Sequence, residues 1–511
     1  MTLSQKGSFF NRVLLNVSLF RVVYIVTLFL CSFYFVGTLA VVLKYVLMIW
    51  GIQIVFFYYI KARRIYNVLY SRWLIAFVGA SFLTAVLHVV DNFLPNMVML
   101  AHVIICFFIF YGMHTERNQK RVKKEIYNIA MFIVFACTIT AVIGIAMIFI
   151  TGKIRIDQLN YDIVVYENRF TGLYTNPNLL GFYSVVAIFC THMLTKKDFL
   201  KECGHKRPSK ILLISSLSVN VIALFLCDSN GSLLLLTMYV FGNLIYKLFG
   251  GLQHLTIGGI FKKVLILVVC LMVIGSSFLV IRWGANQGFS TVVKNHEMAF
   301  QTPQSASTDI KEPSISFEHI NKNLDSGRIE LLTEAVVLFG NYPLLGIGKE
   351  NLIDYGNRYI DGGLHFSDLH NGYLTILVCA GIIGFVIFVG FAIHVARHAV
   401  KSLFLEKKNL SNSIFPCLFA FIVAYCVYAA FEKTLLYEQT YMVVMFWLVL
   451  GYMSCYMVKF NHINDKFDIT GLFKKKDKQG TKFTLDDADI EAEDDAAIID
   501  ENNTQAIMKI Q

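Results

Sequence analysis

Residues 264–281 read VLILVVCLMVIGSSFLVI, a run that contains no charged side chain. A helix of about 20 apolar residues crosses the roughly 30 Å hydrocarbon core of a bilayer, and each backbone polar group there must be bonded within its own segment. Similar runs recur along the chain, for example ILLISSLSVNVIALFLC from Ile211. Barrel strands would be short and alternating, so these runs predict transmembrane helices.

About twelve such segments are predicted as the spans of an all-α, polytopic transmembrane helix bundle. The composition agrees, since 56% of the 511 residues are apolar and 16% are charged. The sequence has no convincing internal repeat of the kind that marks an inverted-repeat transporter. The predicted spans are 20–38, 42–60, 73–90, 97–113, 126–150, 176–195, 211–227, 232–247, 264–281, 372–394, 413–430 and 438–458.

The basic residues predict the orientation of this bundle. Lysine and arginine concentrate in alternate connections, and such connections face the cytoplasm, so both termini are predicted to be cytoplasmic. The same bias explains the net charge of +10 without an anionic partner such as nucleic acid. The basic N-terminus precedes an apolar stretch without a small-residue cleavage site, which predicts a retained first helix. The basic connections are 61–72, 114–125, 196–210, 247–263 and 395–409.

A long external loop is predicted between spans nine and ten, at 282–371. Loops of this length in compact folds are usually functional. From Asp325 the loop sequence predicts one amphipathic helix on the outer face of the bundle, with Ile329, Leu332 and Val336 on its apolar side.

The chain is predicted to divide into a membrane domain, 1–458, and a cytoplasmic tail, 459–511. The tail runs from KKKDK to LDDADIEAEDDAAIIDENN without an apolar period. This composition is typical of disordered segments.

Three outward-facing places combine polar residues, glycine and proline at a membrane edge. The first is ENRFTGLYTNPNLLGF, residues 167–182, where Arg169 precedes Asn176, Pro177 and Asn178 at the start of the sixth span. Free amides at a helix N-terminus attract anions, and a guanidinium binds phosphate oxygens in a bidentate way. The alternative is an N-capped helix with a snorkelling arginine.

The second place is the start of the amphipathic helix in the external loop. Gly327 and Arg328 lie there, and the sequence NYPLLGIG follows at 341–348. An arginine in this position either binds an anion or is an ordinary solvated side chain.

The third place is the mouth of the tenth span, where His365, Asp368, His370 and Asn371 cluster. A histidine with its ordinary pKa of about 6.5 is suited to take a proton from a hydroxyl near neutral pH; alternatively, it only caps the span. A metal site at His365, Asp368 and His370 fits no strong ligand motif. The eleven cysteines include no CxxC pair, which argues against a zinc site or a disulfide framework.

Taken together, these segments resemble the O-antigen polymerase and O-antigen ligase superfamily of bacterial envelope glycosyltransferases. The resemblance rests on the order and spacing of the segments between about residues 160 and 390 and on the number of spans. The matching motifs are R-F-T-G-x-x-x-N-P-N-x-x-G from Arg169 to Gly181, Gly327-Arg328 with P-L-L-G-I-G from Pro343 to Gly348, and His370-Asn371 followed after nine residues by Gly381-Ile-Ile-Gly384.

The resemblance implies transfer of a glycan from an undecaprenyl-diphosphate-linked oligosaccharide donor to a lipid-linked glycan acceptor, outside the bacterial cytoplasmic membrane and without metal or other cofactor. Arg169 and Arg328 would bind the diphosphate leaving group, and His370 would activate the acceptor hydroxyl. Preorganised cations stabilise such a leaving group. Membrane lipids and other polysaccharide-assembly proteins are the further partners implied. The candidate substrate-binding residues are Asn176, Asn178, Asn371, His365, Asp368 and Arg282.

The sequence departs from the family pattern in two places. Many relatives carry an arginine in the outward turn after the seventh span, where this sequence reads Ser-Asn-Gly at 229–231; Arg282 and Arg358 are candidates to replace it. Leu332 lies near the place of an expected tryptophan.

Three functions are compatible with these patterns. A polymerase would join repeat units into O-antigen, capsule or exopolysaccharide, and a ligase would transfer the finished glycan to a lipid or protein. The third function, a lipid-linked sugar transporter or flippase, predicts charges near the bilayer midplane. Such charges are almost absent from the predicted spans, and Lys44 lies close to a span end. The polymerase is the preferred prediction.

Overall fold

A computed structural model describes residues 13–61, 68–115, 119–151, 154–156, 161–166, 169–249, 257–300, 328–366, 368–405 and 413–457. The predicted tail, 459–511, and residues 301–327 of the predicted external loop lie outside this set. The division into a membrane domain and a tail therefore stays a prediction.

The described chain is mostly helical, and each predicted span overlaps an apolar helix, although the first helix, Val17–Leu30, ends before the predicted boundary at residue 38. The helices are α1 (Val17–Leu30), α2 (Gly37–Ile54), α3 (Ser71–Leu87), α4 (Phe93–Ile105), α5 (Gln119–Thr151), α6 (Pro177–Met193), α7 (Lys197–Cys203), α8 (Lys210–Leu226), α9 (Asn230–Phe249), α10 (Ile257–Phe300), α11 (Arg328–Asn341), α12 (Leu352–Tyr359), α13 (Gly372–Val400), α14 (Phe415–Tyr428) and α15 (Tyr441–Tyr456). α2 and α4 continue as the π-helical turns Val55–Lys61 and Cys106–Tyr111, and α13 continues as the π-helical turn Lys401–Leu405.

Among the described residues, six helices are long and apolar enough to cross a membrane. The pair α6 and α7, which bends by 82°, makes a seventh if it is one span. Five further apolar helices, α1, α3, α8, α14 and α15, are shorter than 18 residues. The fold is that of a helical membrane protein, while the count of about twelve spans and the orientation stay predictions.

A small antiparallel sheet, which the sequence analysis did not predict, lies between α5 and α6. Its strands are β1 (Ile154–Ile156), β2 (Tyr161–Tyr166) and β3 (Arg169–Gly172), in the order β1-β2-β3. β2 reads YDIVVY, and β-branched and aromatic residues favour strands. Arg169, the first residue of β3, lies beside the start of α6.

α6 and α15 form the centre of the bundle. Both are apolar on every side, and nearly all their side chains are buried, as expected of a helix enclosed by others. α15 lies so close to the π-helical end of α4 that a Cβ at Gly451 would collide with the carbonyl of Phe110.

α10 extends beyond the predicted ninth span. The external loop is predicted to begin at residue 282, and its first part is helical, because α10 continues to Phe300. Residues 282–300 contain no proline, and polar composition alone does not end a helix.

α11 confirms the predicted amphipathic helix but not its apolar face. Leu332 and Val336 are exposed, whereas Leu331, Ala335 and Leu338 are buried. The buried stripe and the predicted stripe both have helical spacing. The buried stripe is the one that faces the neighbouring helices. Ala335 and Leu338 pack in a cluster with residues of α12 and α13.

α13 is broken at Gly381, where φ is 64° and ψ is −174°. The break frees the carbonyls of Val378 and Cys379, which accept hydrogen bonds from the amides of Ile347 and Gly348 at 3.1 and 3.0 Å. The amides beyond the break donate in return to the carbonyls of Pro343 and Leu344. The segment Pro343–Gly348 thus satisfies the backbone groups of a broken membrane helix, as such a break requires.

Glycine is required on both sides of this junction. Gly346 has a φ of 71°, and a Cβ there would lie 2.5 Å from the backbone nitrogen of Gly381. A Cβ at Gly381 would collide with the carbonyl of Leu344. The two glycine motifs noted in the sequence therefore form one packing unit.

A buried ion pair lies near the beginning of α1 and α5, at the edges of two predicted spans. Arg21 is fully buried and pairs with Glu125 at 3.3 Å. Arg21 Nε also donates to the carbonyl of Ile109 at 2.9 Å, and the Tyr452 hydroxyl donates to Glu125. These two charges, which are far apart in the sequence, are tolerated in the interior because they form an ion pair with each other.

Candidate active site

α6 begins with a side-chain cap at Asn176. Its Oδ1 accepts the amide hydrogen of Asn178 at 2.7 Å, and Pro177 occupies the first turn. Proline is favoured there because its missing N–H would have had no partner in the helix. The predicted N-cap is confirmed.

Arg169 lies on β3 beside this helix start. Its Nε donates to the carbonyl of Cys227 at 3.1 Å, and its Nη2 donates to Oδ1 of Asn178 at 2.9 Å. The guanidinium has five N–H donors, so these two bonds leave others for an anion. Arg169 is partly exposed, which keeps it accessible.

Glu432, in the connection between α14 and α15, joins the first predicted segment to the third. The Asn178 Nδ2 donates to Glu432 Oε1 at 3.4 Å. The other oxygen of Glu432 lies 3.8 Å from Nδ1 of His370. Asn178 and Glu432 therefore form a path of contacts from Arg169 to His370.

His370 has an unusual backbone conformation, with a φ of 42°. Its amide donates to Oδ1 of Asp368 at 2.9 Å, and the same oxygen lies 3.5 Å from its Nδ1. A left-handed conformation is uncommon outside glycine and concentrates at functional sites. Here the Asp368 side chain stabilises it and orients the ring.

The carboxylates around His370 make it more basic. Glu432 is the main cause that raises the pKa of His370 above its ordinary value, burial opposes the rise, and Asp368 adds to it. Burial alone would raise the pKa of Asp368, but the charge and hydrogen bond of Lys433 and the contacts with His370 together hold that pKa below its ordinary value. His370 therefore has the environment of a general base whose charged form is stabilised.

Lys433 continues the network of charges away from His370. Its Nζ lies 2.5 Å from Oδ2 of Asp368 and 3.1 Å from Oε1 of Glu438. Lys349 approaches Glu438 at 3.4 Å. This chain of opposite charges ties the α14–α15 connection to the segment that precedes α12.

Asn371 caps α13. Its Oδ1 accepts from the amides of Tyr373 and Leu374, and its Nδ2 donates to the carbonyl of Ala430 at 2.9 Å. Asn371, not His370, is thus the capping residue of this helix. The predicted contact of Asn371 with substrate stays a prediction.

Arg282 reaches the turn in which the sequence lacks the family's arginine. It pairs with Asp228 at 2.6 Å and donates to Oδ1 of Asn230 at 3.0 Å. The extension of α10 beyond the predicted loop boundary brings it there. Arg358, the other candidate, contacts Asp91 instead, at 3.6 Å.

Arg328 and His365 are the remaining predicted site residues. Arg328 is the first residue of α11, and its side chain lies outside the described set. His365 is exposed, its amide donates to Oε1 of Glu334 at 2.8 Å, and the ring of Phe366 lies edge-on to both His365 and His370. Within the described ranges, no group of three or more His, Cys, Asp or Glu is arranged to hold a metal ion.

The sequence reasoning missed the acidic residues Glu432 and Glu438 and gave Lys433 no role in the site. All three lie in FEKTLLYEQT, a short connection between two apolar helices. This connection holds three charged residues, although the predicted outer side of the bundle has few lysines and arginines. That concentration of charge could have identified the connection as part of the site.

Comparison with known proteins supports the predicted resemblance. The model of a family described as O-Antigen ligase matches residues 213–389, which confirms the resemblance to the O-antigen polymerase and ligase superfamily. The match includes Arg282, Arg328 and His370 and leaves out Arg169 and Glu432. No curated protein matches the chain significantly. The family consists of membrane enzymes of glycosyl transfer in polysaccharide assembly.

Proposed function

We propose that this chain, whose residues 213–389 match the O-antigen ligase family, is a membrane glycosyltransferase of the polymerase type. It joins undecaprenyl-diphosphate-linked repeat units into surface polysaccharide on the outer face of the bacterial cytoplasmic membrane. The observation that carries the proposal is the continuous contact path from Arg169 through Asn178 and Glu432 to His370.

His370 acts as the general base. It takes the proton of the acceptor hydroxyl while the acceptor oxygen bonds to the anomeric carbon of the donor sugar. Glu432 and Asp368 stabilise the imidazolium that forms, as carboxylates beside a catalytic histidine do. Positioned proton transfer of this kind contributes about 10²- to 10⁴-fold to a rate.

Arg169 acts on the leaving group. As the bond between the sugar and the diphosphate breaks, the electron pair goes to the diphosphate oxygen, and the guanidinium stabilises the negative charge. Arg282 supplies a second cation near the 228–230 turn, and Arg328 a third from the start of α11. Fixed cations of this kind contribute a few kcal/mol each in a site that excludes water.

A ligase is the second candidate, and the description of the matched family favours it. A ligase would use the same leaving group and the same base with a different acceptor. The buried Arg21–Glu125 pair does not support a transporter, because both charges are bound by protein groups.

Deletion of the gene in its host, followed by size separation of surface and lipid-linked glycans, tests the proposal. A polymerase predicts loss of long chains while single repeat units still reach the surface. Long chains accumulating on the undecaprenyl carrier would indicate the ligase. Unchanged glycans would contradict both enzymes.

Complementation with Arg169→Ala, Arg328→Ala or His370→Ala tests the site. Each variant should insert normally and fail to restore the polysaccharide. Arg207→Ala is the matched control, because Arg207 is an exposed arginine in the turn before α8. Wild-type glycans from all three site variants would contradict the site.

A further inference from the structure

Phe366 is an exposed aromatic side chain beside the proposed base, and the proposed reaction gives it no role. Its surface is 37% exposed, and the side chain of His370 is 39% exposed. The two rings are perpendicular, with centroids 5.4 Å apart. That distance is about the width of one sugar ring, so a sugar in contact with His370 lies within reach of Phe366.

Hydrogen bonds to two buried carboxylates hold the backbone on either side of Phe366. The amide of His365 donates to Oε1 of Glu334 at 2.8 Å, and the amide of His370 donates to Oδ1 of Asp368 at 2.9 Å. Glu334 and Asp368 are 8% and 4% exposed. The ring of Phe366 also packs against the ring of His365, with centroids 4.6 Å apart. Protein groups therefore fix the place of Phe366 beside the base, as a preorganised binding site requires.

The surroundings of Phe366 differ from those of a phenylalanine on the apolar surface of a predicted span. Phe82, on α3, is 48% exposed, and its exposed neighbours Leu83, Val86 and Leu87 are all apolar. The ring neighbours of Phe366 are two histidines. An apolar ring among polar, partly exposed groups suits a ligand that has both apolar and polar surface.

A sugar has this combination of properties. Its ring hydrogens form an apolar face that packs against the electron-rich face of an aromatic ring, while its hydroxyls bond to polar side chains. Phe366 provides the first kind of contact. His365, which is exposed, provides ring nitrogens for the second.

The orientation of His370 indicates which sugar this is. Asp368 and Glu432 both lie beside Nδ1 of His370, which leaves Nε2 as the nitrogen that takes a proton. In the proposed reaction that proton comes from the acceptor hydroxyl, whereas Arg169 acts on the leaving group of the donor. The sugar nearest His370 is therefore the acceptor sugar.

We propose that Phe366 is a substrate-binding residue that packs against the acceptor sugar and holds its hydroxyl at Nε2 of His370. This inference rests on the proposed function. The face of the sugar that packs on Phe366 must carry hydrogens rather than hydroxyls, so this residue also restricts which acceptor sugars are used. Loss of the ring weakens acceptor binding and leaves the base in place.

Binding of lipid-free oligosaccharides tests the proposal without an activity assay. The probes are size-fractionated fragments of the host's own surface polysaccharide, which have no diphosphate and so bind as acceptors rather than as donors. The full-length protein in detergent or nanodiscs should bind them saturably in calorimetric titrations. Phe366→Ala should weaken this binding by about tenfold, the order of magnitude of a stacking contact, with little change in thermal unfolding. Phe366→Tyr should keep the wild-type affinity.

Phe366→Trp adds a direct reporter of the contact. Tryptophan emission depends on the surroundings of the ring, so the fragments should change the emission of this variant saturably, and by more than that of the wild-type chain with its four tryptophans. Phe82→Trp is the matched control, since Phe82 is also exposed but lies on the apolar helix α3, and its emission should not respond. Phe82→Ala should bind the fragments as the wild type does.

Three results would overturn the proposal: no saturable binding by the wild type, an unchanged affinity in Phe366→Ala, or an equal response of Phe82→Trp and Phe366→Trp. Failure of the proposed function is distinguishable, because deletion of the gene would then leave the glycans unchanged. If deletion alters the glycans while Phe366→Ala binds the fragments normally, the enzyme stands and the role of Phe366 is rejected.

Discussion

Ionic groups occur in two contrasting settings in this bundle. Arg21 and Glu125 have side-chain exposures of 0% and 3%, and their bonds go to each other and to neighbouring protein groups. At the candidate site, His370, Lys433 and Glu432 are 39%, 29% and 17% exposed. The first group is enclosed and cannot receive a ligand, whereas the second keeps surface for one.

Burial gives the two groups different energetic roles. Removing one partner of an enclosed pair leaves an uncompensated charge in the interior. Removing one member of a half-exposed group is partly compensated by water and salt. We therefore expect the first pair to control stability and the second network to control activity.

Arg21→Met should have the largest effect. It leaves Glu125 buried without its cation and should lower stability by about 3–5 kcal/mol, measured as thermal unfolding of the protein in detergent. The double variant Arg21→Met, Glu125→Leu should recover much of this loss, because it removes both charges. A single variant as stable as the wild type would contradict the assignment of this pair as a structural one.

Neither pair could be predicted from sequence alone. Arg21 and Glu125 are 104 positions apart in the sequence. Asn178 and Glu432 are 254 positions apart. Apolar runs and capping residues are local signals, so the helices and the Asn176 cap were predictable. Which distant charges meet depends on helix packing, which local patterns do not encode.

Glu432→Ala should have the next largest effect, on activity. It breaks the link between Asn178 and His370 and removes a carboxylate that stabilises the imidazolium. Polysaccharide assembly should fall by roughly tenfold to a hundredfold, less than or at the lower end of the contribution of a general base itself, with little change in thermal unfolding. The measurement is the rate of chain formation in membranes.

Glu202→Ala is the matched control for this variant. Glu202 pairs with Lys123 at 3.0 Å in a more exposed setting, so its loss should leave assembly unchanged. Equal activity of the two variants would show that Glu432 has no part in the reaction.

The candidate site was partly predictable for a related reason. Arg169 and His370 lie in segments with recognisable local patterns, and the structure connects them. Arg282 was considered only as a substitute, because the sequence gave no sign that α10 extends to the 228–230 turn. α11 was predicted with the wrong buried face because two of its stripes are apolar.

Lys433→Met should have a smaller, mixed effect. Asp368 is nearly buried, and Lys433 is its cation, so stability should fall by about 1–2 kcal/mol and activity severalfold as His370 loses its orientation. Lys123→Met, which removes the cation of the surface pair with Glu202, should change stability by about 0–1 kcal/mol. Equal losses in unfolding experiments would remove the distinction between the two settings.

The smallest expected effect is a displacement of the pH profile. A general base must be neutral to accept a proton, so wild-type activity should decline as the pH falls through the raised pKa of His370. Glu432→Gln removes the main cause of that rise while keeping the shape of the side chain, so the decline should move to lower pH. Asp368→Asn should move it in the same direction by less, since Asp368 is the weaker cause. If neither variant moves the decline, His370 is not the group that titrates, and the half-exposed network has a role other than tuning a base.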